Sequence, residues 1–339
     1  MIVTPDDSMR LYREMADNPP KAPIVQMRQF HCDPYKKNGK NVVSIVHTDD
    51  RAEGIRKAIE LIGGINSMIK DVKGNILIKP NCNTDDSYPR DTHFNTIKTI
   101  SQILIDSGIK PDKIIIGDMS GRARGLPTRA TMENLGITEI AEDLGVNTSY
   151  FDEEDWVTVW PSKSKWWPIG IKIPKTVYNS ERIIFTPILR SHSTATFTCS
   201  LKLGVGLIDA YMRDWLHNGE NFYEKMMDIN LAYQVDMVIA DAMKINTGYG
   251  TYSVDEVTPA IIIASNNMVA SDAVSAALMK HYKTVRVASQ ATQKYLQFQI
   301  AQSLGLGTAS LAEIELLSFD LNPNKEFREI LRFIKSELR

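Results

Sequence analysis

Short β-branched and aliphatic runs recur along this chain, separated by segments with helical spacing, and that alternation constrains the fold more than any other feature. The runs are VVSIV (42–46), NILIK (75–79), KIIIG (113–117), RIIFT (182–186), DMVIA (236–240) and AIIIA (260–264). Each is a five-residue stretch dominated by three to five apolar residues, the pattern of a strand buried on both faces. Between them lie RAEGIRKAIELIGG (51–64), a segment with Ile97, Ile100, Ile103 and Leu104 on one helical face, a short helix at 137–144 ended by Gly145, and helices expected near 195–210, 219–232 and 268–281. Strand, helix, strand in this order predicts an α/β fold: mostly parallel sheet flanked by helices and built from βαβ units, with room for two subdomains. FDEEDWVTVWPSKSKWWPIG (151–170), with its acids, tryptophans and prolines, interrupts the alternation and is read as a crossover or a β-hairpin excursion.

Residues 1–41 are polar, contain Pro and show no sustained period, so they are expected to form an extended arm. An α/β subdomain is expected over 42–150, a second α/β part over 151–310 and a helical tail over 311–339. The chain has 339 residues, 43% hydrophobic and 24% charged, which suffices for a large core. Lys plus Arg (39) nearly balances Asp plus Glu (41), so no global positive field favours nucleic acid as a partner. The sequence offers no apolar run of membrane-spanning length, and acids near its start do not suit a signal peptide. A cytoplasmic location is expected, with a small anionic molecule as partner, no membrane and, as an option, a homodimer. Cys32, Cys82 and Cys199 are odd in number and far apart, which suits neither a disulfide framework nor an iron–sulfur cluster.

In an open parallel sheet, ligands sit beyond the carboxyl ends of the strands, where loops converge and helix N-termini point. The residues following each strand are therefore the candidates. Lys79 ends the second run and Asn81 follows it, Asp118, Ser120 and Arg122 follow the third, Arg190, His192 and Ser193 the fourth, and Asp241 the fifth. Asp118 and Asp241 abut apolar runs and are expected to be partly buried, where a carboxylate requires partners. The stretch 190–217 is densest: His192, Cys199, Lys202 and His217 stand among many hydroxyls, a composition suited to an anion or a polar cofactor. Lys202 lies in Leu-Lys-Leu-Gly-Val-Gly-Leu, and a lysine among apolar neighbours can serve as base, nucleophile or anion contact. The ordinary alternatives are a snorkelling lysine, capping or core histidines and an inert buried thiol.

The leading expectation is an enzyme acting on a small anionic substrate in a pocket at the strand ends. Catalysis falls to His192, Lys202, Asp118 and Asp241, and substrate binding to Lys79, Asn81, Ser120, Arg122, Arg190 and Ser193. The alternative is a protein holding a metal or metallo-organic cofactor through His192, Cys199 and His217, with Lys202 nearby. A non-catalytic ligand-binding module is the third reading.

ILIKPN (76–81), IIIGDMSG (114–121), the Leu-Gly of 135–136 and AEDLGV (141–146) resemble the N-terminal half of the domain of unknown function 362 family. SHSTATFTCSLKLGVG (191–206), VIADAM (238–243) and IIASNNMVASDAVSAALM (262–279) resemble its second half, so the resemblance covers roughly 42–310. The chain departs from that pattern at Arg190, where the family signature has Lys, and at Leu203, where it has Asn. The CxxC repeats of many members are missing from it. The spacing of ten residues from His192 to Lys202 and fifteen from Lys202 to His217 is also similar to that of the nickel-pincer lactate racemases. That resemblance implies a cofactor held by Lys202 and a metal bound by histidine. Arg122 or Arg124 stands where the racemases have a further His.

Overall fold

The computed structural model describes residues 4–122, 124–249 and 253–339. It is a mixed α/β protein with a large, mostly parallel central sheet flanked by helices. In chain order the strands are β1 (Asn41–His47), β2 (Ile76–Pro80), β3 (Ile114–Asp118), β4 (Asn147–Tyr150), β5 (Trp156–Val159), β6 (Ile171–Pro174), β7 (Arg182–Thr186), β8 (Ile188–His192), β9 (Thr196–Thr198), β10 (Met237–Asn246), β11 (Glu256–Val257), β12 (Ile261–Ser265) and β13 (Ile314–Asp320). The main sheet runs β13-β1-β12-β10-β7-β2-β3-β4, with β8, β9 and β11 attached through β10. Strands from 42–150 and from 151–310 thus share one sheet. β12 runs antiparallel to both its neighbours, β1 and β10, while β7, β2, β3 and β4 pair in parallel.

Alternation along the strands divides the apolar residues between two faces. On β10, Met237 and Ile239 join one cluster with Ile55, Ile59, Ile97 and Ile100 of the helices Arg51–Ile62 and Phe94–Asp106. Val238 and Ala240 join the other, with the helix Met268–His281. That helix is buried from Met268 through Met279, rich in Ala and Ser, and starts where Asn267 accepts a hydrogen bond from the Ala270 amide. Small residues all round let it lie close against the sheet. Among the described residues no helix is long and apolar enough to cross a membrane.

Three expectations are corrected. The arm is not extended throughout, because Pro5–Asp17 forms a helix capped by Thr4, with Tyr12 buried and its hydroxyl donating to the Ala210 carbonyl. The tail is not wholly helical: Ile314–Asp320 is a strand pairing in parallel with β1, followed by the helix Lys325–Glu337. Residues 195–210 are not one helix. Thr196–Thr198 returns antiparallel on β8, and a single helical turn, Ser200–Leu203, and a 3-10 turn, Gly204–Leu207, follow. The 151–170 excursion is a hairpin, β5 pairing with β6.

Candidate active site

β2 and β3 lie side by side and end in Lys79-Pro80 and Asp118. Lys79 Nζ donates to Asp118 Oδ1 at 2.7 Å and to the Pro80 carbonyl at 3.0 Å. Asp118 also accepts from the amides of Cys82 and Met119, each at 2.8 Å. Both charges are buried, so this pair persists only because each polar atom is engaged. Burial pulls the Lys79 ammonium below its usual range, while Asp118 pulls it back. The Gly204–Leu207 turn closes over the pair, and a Cβ at Gly206 would stand 2.5 Å from Asp118 Oδ1 and 2.6 Å from Lys79 Nζ. Only glycine fits there.

The turn that carries Lys202 is anchored from another element. Asp272, on the helix Met268–His281, accepts from the Ser200 and Leu201 amides at 2.9 Å each and from the Ser200 hydroxyl. A carboxylate on the first amides of a helical turn satisfies donors that the turn itself cannot. Lys202 then faces a recess of about 40 Å³ lined also by Lys79, Asn81, Asp118, Thr198 and Arg213. That volume holds about three water molecules, the size of a carboxylate or phosphate group.

The charges around this recess do not cancel. Arg213 is buried and donates to the carbonyls of Val205, Ile208, Met119 and Ser120 rather than to a carboxylate. Lys202 forms neither an ion pair nor a hydrogen bond with any of the described residues. Burial, then the charges of Arg190, Arg213 and Lys79, push its ammonium down to about 7. Thr198, only 3% exposed, has a hydroxyl without a partner.

The two histidines nearby hold opposite tautomers when neutral. His192 Nδ1 accepts from the Thr194 and Ala195 amides, both at 3.1 Å, so its proton sits on Nε2 and the ring is a donor there. Burial, reinforced by Lys202 and Arg190, keeps this imidazole neutral far below its usual range. His217 Nδ1 lies 2.7 Å from the Arg213 carbonyl and must donate to it, leaving a lone pair on Nε2. Burial and the charge of Lys202 lower its pKa, against the bond to Arg213.

Of the sequence-derived candidates, Lys79, Asn81, Asp118 and Lys202 line this recess, and His192, Arg190 and His217 stand within electrostatic reach of Lys202. Ser120 contributes its carbonyl to Arg213. Others are placed elsewhere. Asp241 faces the opposite side of the sheet, where it accepts from Arg51 Nε at 2.8 Å, the Thr96 hydroxyl at 2.6 Å and the Tyr88 hydroxyl at 2.7 Å. Arg122 is exposed beside Asp214, and Ser193 is exposed in the β8–β9 turn. Cys199 is buried with its thiol against Asp272 and Ser275, and burial pushes its pKa well up. The set His192, Cys199 and His217 is therefore not assembled as metal ligands, and no group of three or more His, Cys, Asp or Glu among the described residues is placed to hold a metal ion.

Three residues that the sequence reading did not single out prove central, Arg213, Asp272 and Asp91, and Thr198 entered it only as one of many hydroxyls. Asp91 accepts from Asn81 Nδ2, the Asn83 amide and the Thr84 hydroxyl, and burial raises its pKa against the nearby charge of Arg190. Asp272 alone carried a signal, being the acid of Met-Val-Ala-Ser-Asp at the start of an apolar helix.

No match is found among curated proteins. One family model, described as Domain of unknown function (DUF362), matches residues 76–277, a span that holds every residue lining the recess. With that match over more than half of its length, the chain belongs to the DUF362 family.

Proposed function

We propose that the chain is an enzyme acting on a small anionic substrate, whose carboxylate or phosphate group enters the recess and meets Lys202. The observation that carries this reading is Lys202 itself: an ammonium facing a small, cation-rich recess whose carboxylate, Asp118, is already taken up by Lys79 and two amides. Holding such a charge half-buried among other cations is costly unless something answers it, and an anion of about the size of the recess does so. The Thr198 hydroxyl and the Nε2–H of His192 supply neutral donors, replacing the catalytic role expected of Asp118 and Asp241. Asp118 positions Lys79 and the loop after β2.

A lysine whose pKa lies near 7 is part free amine at neutral pH, matched to proton transfer. In this reading the anion holds most of Lys202 as the ammonium, and the free-amine fraction in equilibrium with it removes a proton from the carbon next to the substrate's anionic group, the ammonium so formed stabilising the charge it has created. The test is exchange in deuterated water, followed by NMR over a panel of small hydroxy and keto acids. The expected result is incorporation of deuterium at that carbon, reduced about 100-fold or more by Lys202→Met. Saturable binding without exchange on any acid of the panel contradicts catalysis and favours a binding module instead.

A further inference from the structure

The recess occupies the carboxyl ends of β2 and β3. A second, larger cleft of about 610 Å³ opens at the opposite end of the strands, where β1 begins at Asn41 and β12 ends at Ser265. Its size matches a small-molecule site. The Asn41 side chain is 7% exposed and lines this cleft, and it has no hydrogen-bond partner; its Oδ1 is fully buried. The other amides there are engaged: Asn266 with the Val42 amide and Asp33, Asn267 with the Ala270 amide and the Leu306 carbonyl, Asn230 with Tyr233 and two carbonyls. Leaving a buried amide unsatisfied costs about 1–3 kcal/mol, and Asn41 is the exception among these neighbours.

Two large aromatic residues line the same cleft while still open to solvent, Phe30 at 46% and Trp160 at 48% exposed. Its charged residues are Arg28, Lys36, Lys163 and Asp33. Asp33 is occupied by Asn266 and by the Tyr35 amide, whereas Lys36 and Lys163 are exposed, Lys163 donating to the Leu304 carbonyl at 2.8 Å. The helix Met268–His281 begins at this cleft, adding the positive end of a 14-residue helix.

We propose that this cleft is a second binding site, for a nucleoside monophosphate or a molecule of the same build: a planar nitrogen heterocycle with an anionic tail. Asn41 Nδ2, the side of the amide not sealed from solvent, donates to a ring nitrogen of the base, and a turn of the side chain brings Oδ1 to an exocyclic amine, the pairing asparagine makes with adenine. Aromatic faces stack on the ring, and the lysines with the helix start hold the phosphate. This assignment is independent of the recess at Lys202, which lies on the same face at the other end of the strands.

The experiment is titration of the full chain with adenosine monophosphate, read by tryptophan fluorescence and by calorimetry. Ribose 5-phosphate serves as the tail alone and adenosine as the ring alone. Saturable binding of the nucleotide is expected, with ribose 5-phosphate at least tenfold weaker. Asn41→Ala is expected to weaken nucleotide binding at least tenfold, and Trp160→Ala to weaken it and remove the fluorescence change. Trp160 is exposed, so its variant keeps the test alive if Asn41→Ala fails to fold. Both variants should leave sulfate binding at the Lys202 recess unchanged. Equal binding of ribose 5-phosphate, absence of nucleotide binding, or binding that both variants leave intact overturns the proposal.

Discussion

At the scale of single residues, partners decide what an ionisable group does. Asp118 and Lys202 lie in the same recess, yet one is surrounded by donors and the other donates to no acceptor among the described residues. Removing Asp118 strands a buried ammonium, so Asp118→Ala should cost about 3–5 kcal/mol of stability in denaturant unfolding, and replacing Lys79 and Asp118 together by apolar residues should recover most of it. Additive losses in the double variant would contradict the pairing. The cysteines divide similarly. Cys82 and Cys199 are buried with thiols pushed well up, and Cys32 is exposed. Iodoacetamide on the folded protein should therefore modify Cys32 first, with the other two labelled only on unfolding. Mass spectrometry reads this directly. Lys202 was legible in sequence because a lysine flanked by Leu and Gly signals burial. Asp241 was misplaced because an apolar run announces burial without saying which face of the sheet receives the side chain. Thr198 was legible only as one hydroxyl among many, and Arg213 gave no signal, since its surroundings come from elements distant in sequence, such as the Ser120 carbonyl.

At the scale of elements, the apolar runs were readable wherever local pattern and tertiary use agree. The helix Met268–His281 and the strands β2, β3 and β7 fall where their sequences put them. Two elements were misread for one reason: pairing outweighed local preference. TFT at 196–198 is too short to show alternation and becomes a strand by returning on β8, while IELLSFD reads as part of a helical tail until β1 pairs with it. The hairpin matters for the site, because it delivers Thr198 and leads into the turn that Asp272 anchors. The next turn carries its own test. Gly206→Ala places a methyl against Asp118 and Lys79, so it should destabilise by about 1–3 kcal/mol and weaken sulfate binding, seen together in thermal unfolding with and without the anion. Unchanged values for both would show that the turn yields without cost.

At the scale of the whole molecule, one sheet separates two kinds of surroundings. On one face Asp241 gathers Arg51, Thr96 and Tyr88 into a satisfied network, and at the carboxyl ends of β2 and β3 the cations outnumber the acids. The net charge of −2 conceals this, because the excess is local. Its consequence is a linkage between anion and proton. Free Lys202 titrates near 7, below the ordinary lysine value of about 10.4. A bound anion favours the charged form and raises that pKa, so above pH 7 binding must take up a proton, and affinity must fall toward tenfold per pH unit until the complex itself deprotonates. Below pH 7 the ammonium is already formed and affinity levels off. His192, held neutral, takes no part in this range.

Calorimetric titration with sulfate, an anion that does not itself titrate near neutrality, tests the central claim most directly when run in two buffers of different ionisation enthalpy. The account predicts uptake of close to one proton per sulfate at pH 8, little at pH 6, and neither uptake nor tight binding in a folded Lys202→Met variant. Sulfate binding that is independent of pH, or that survives the loss of Lys202, would contradict it.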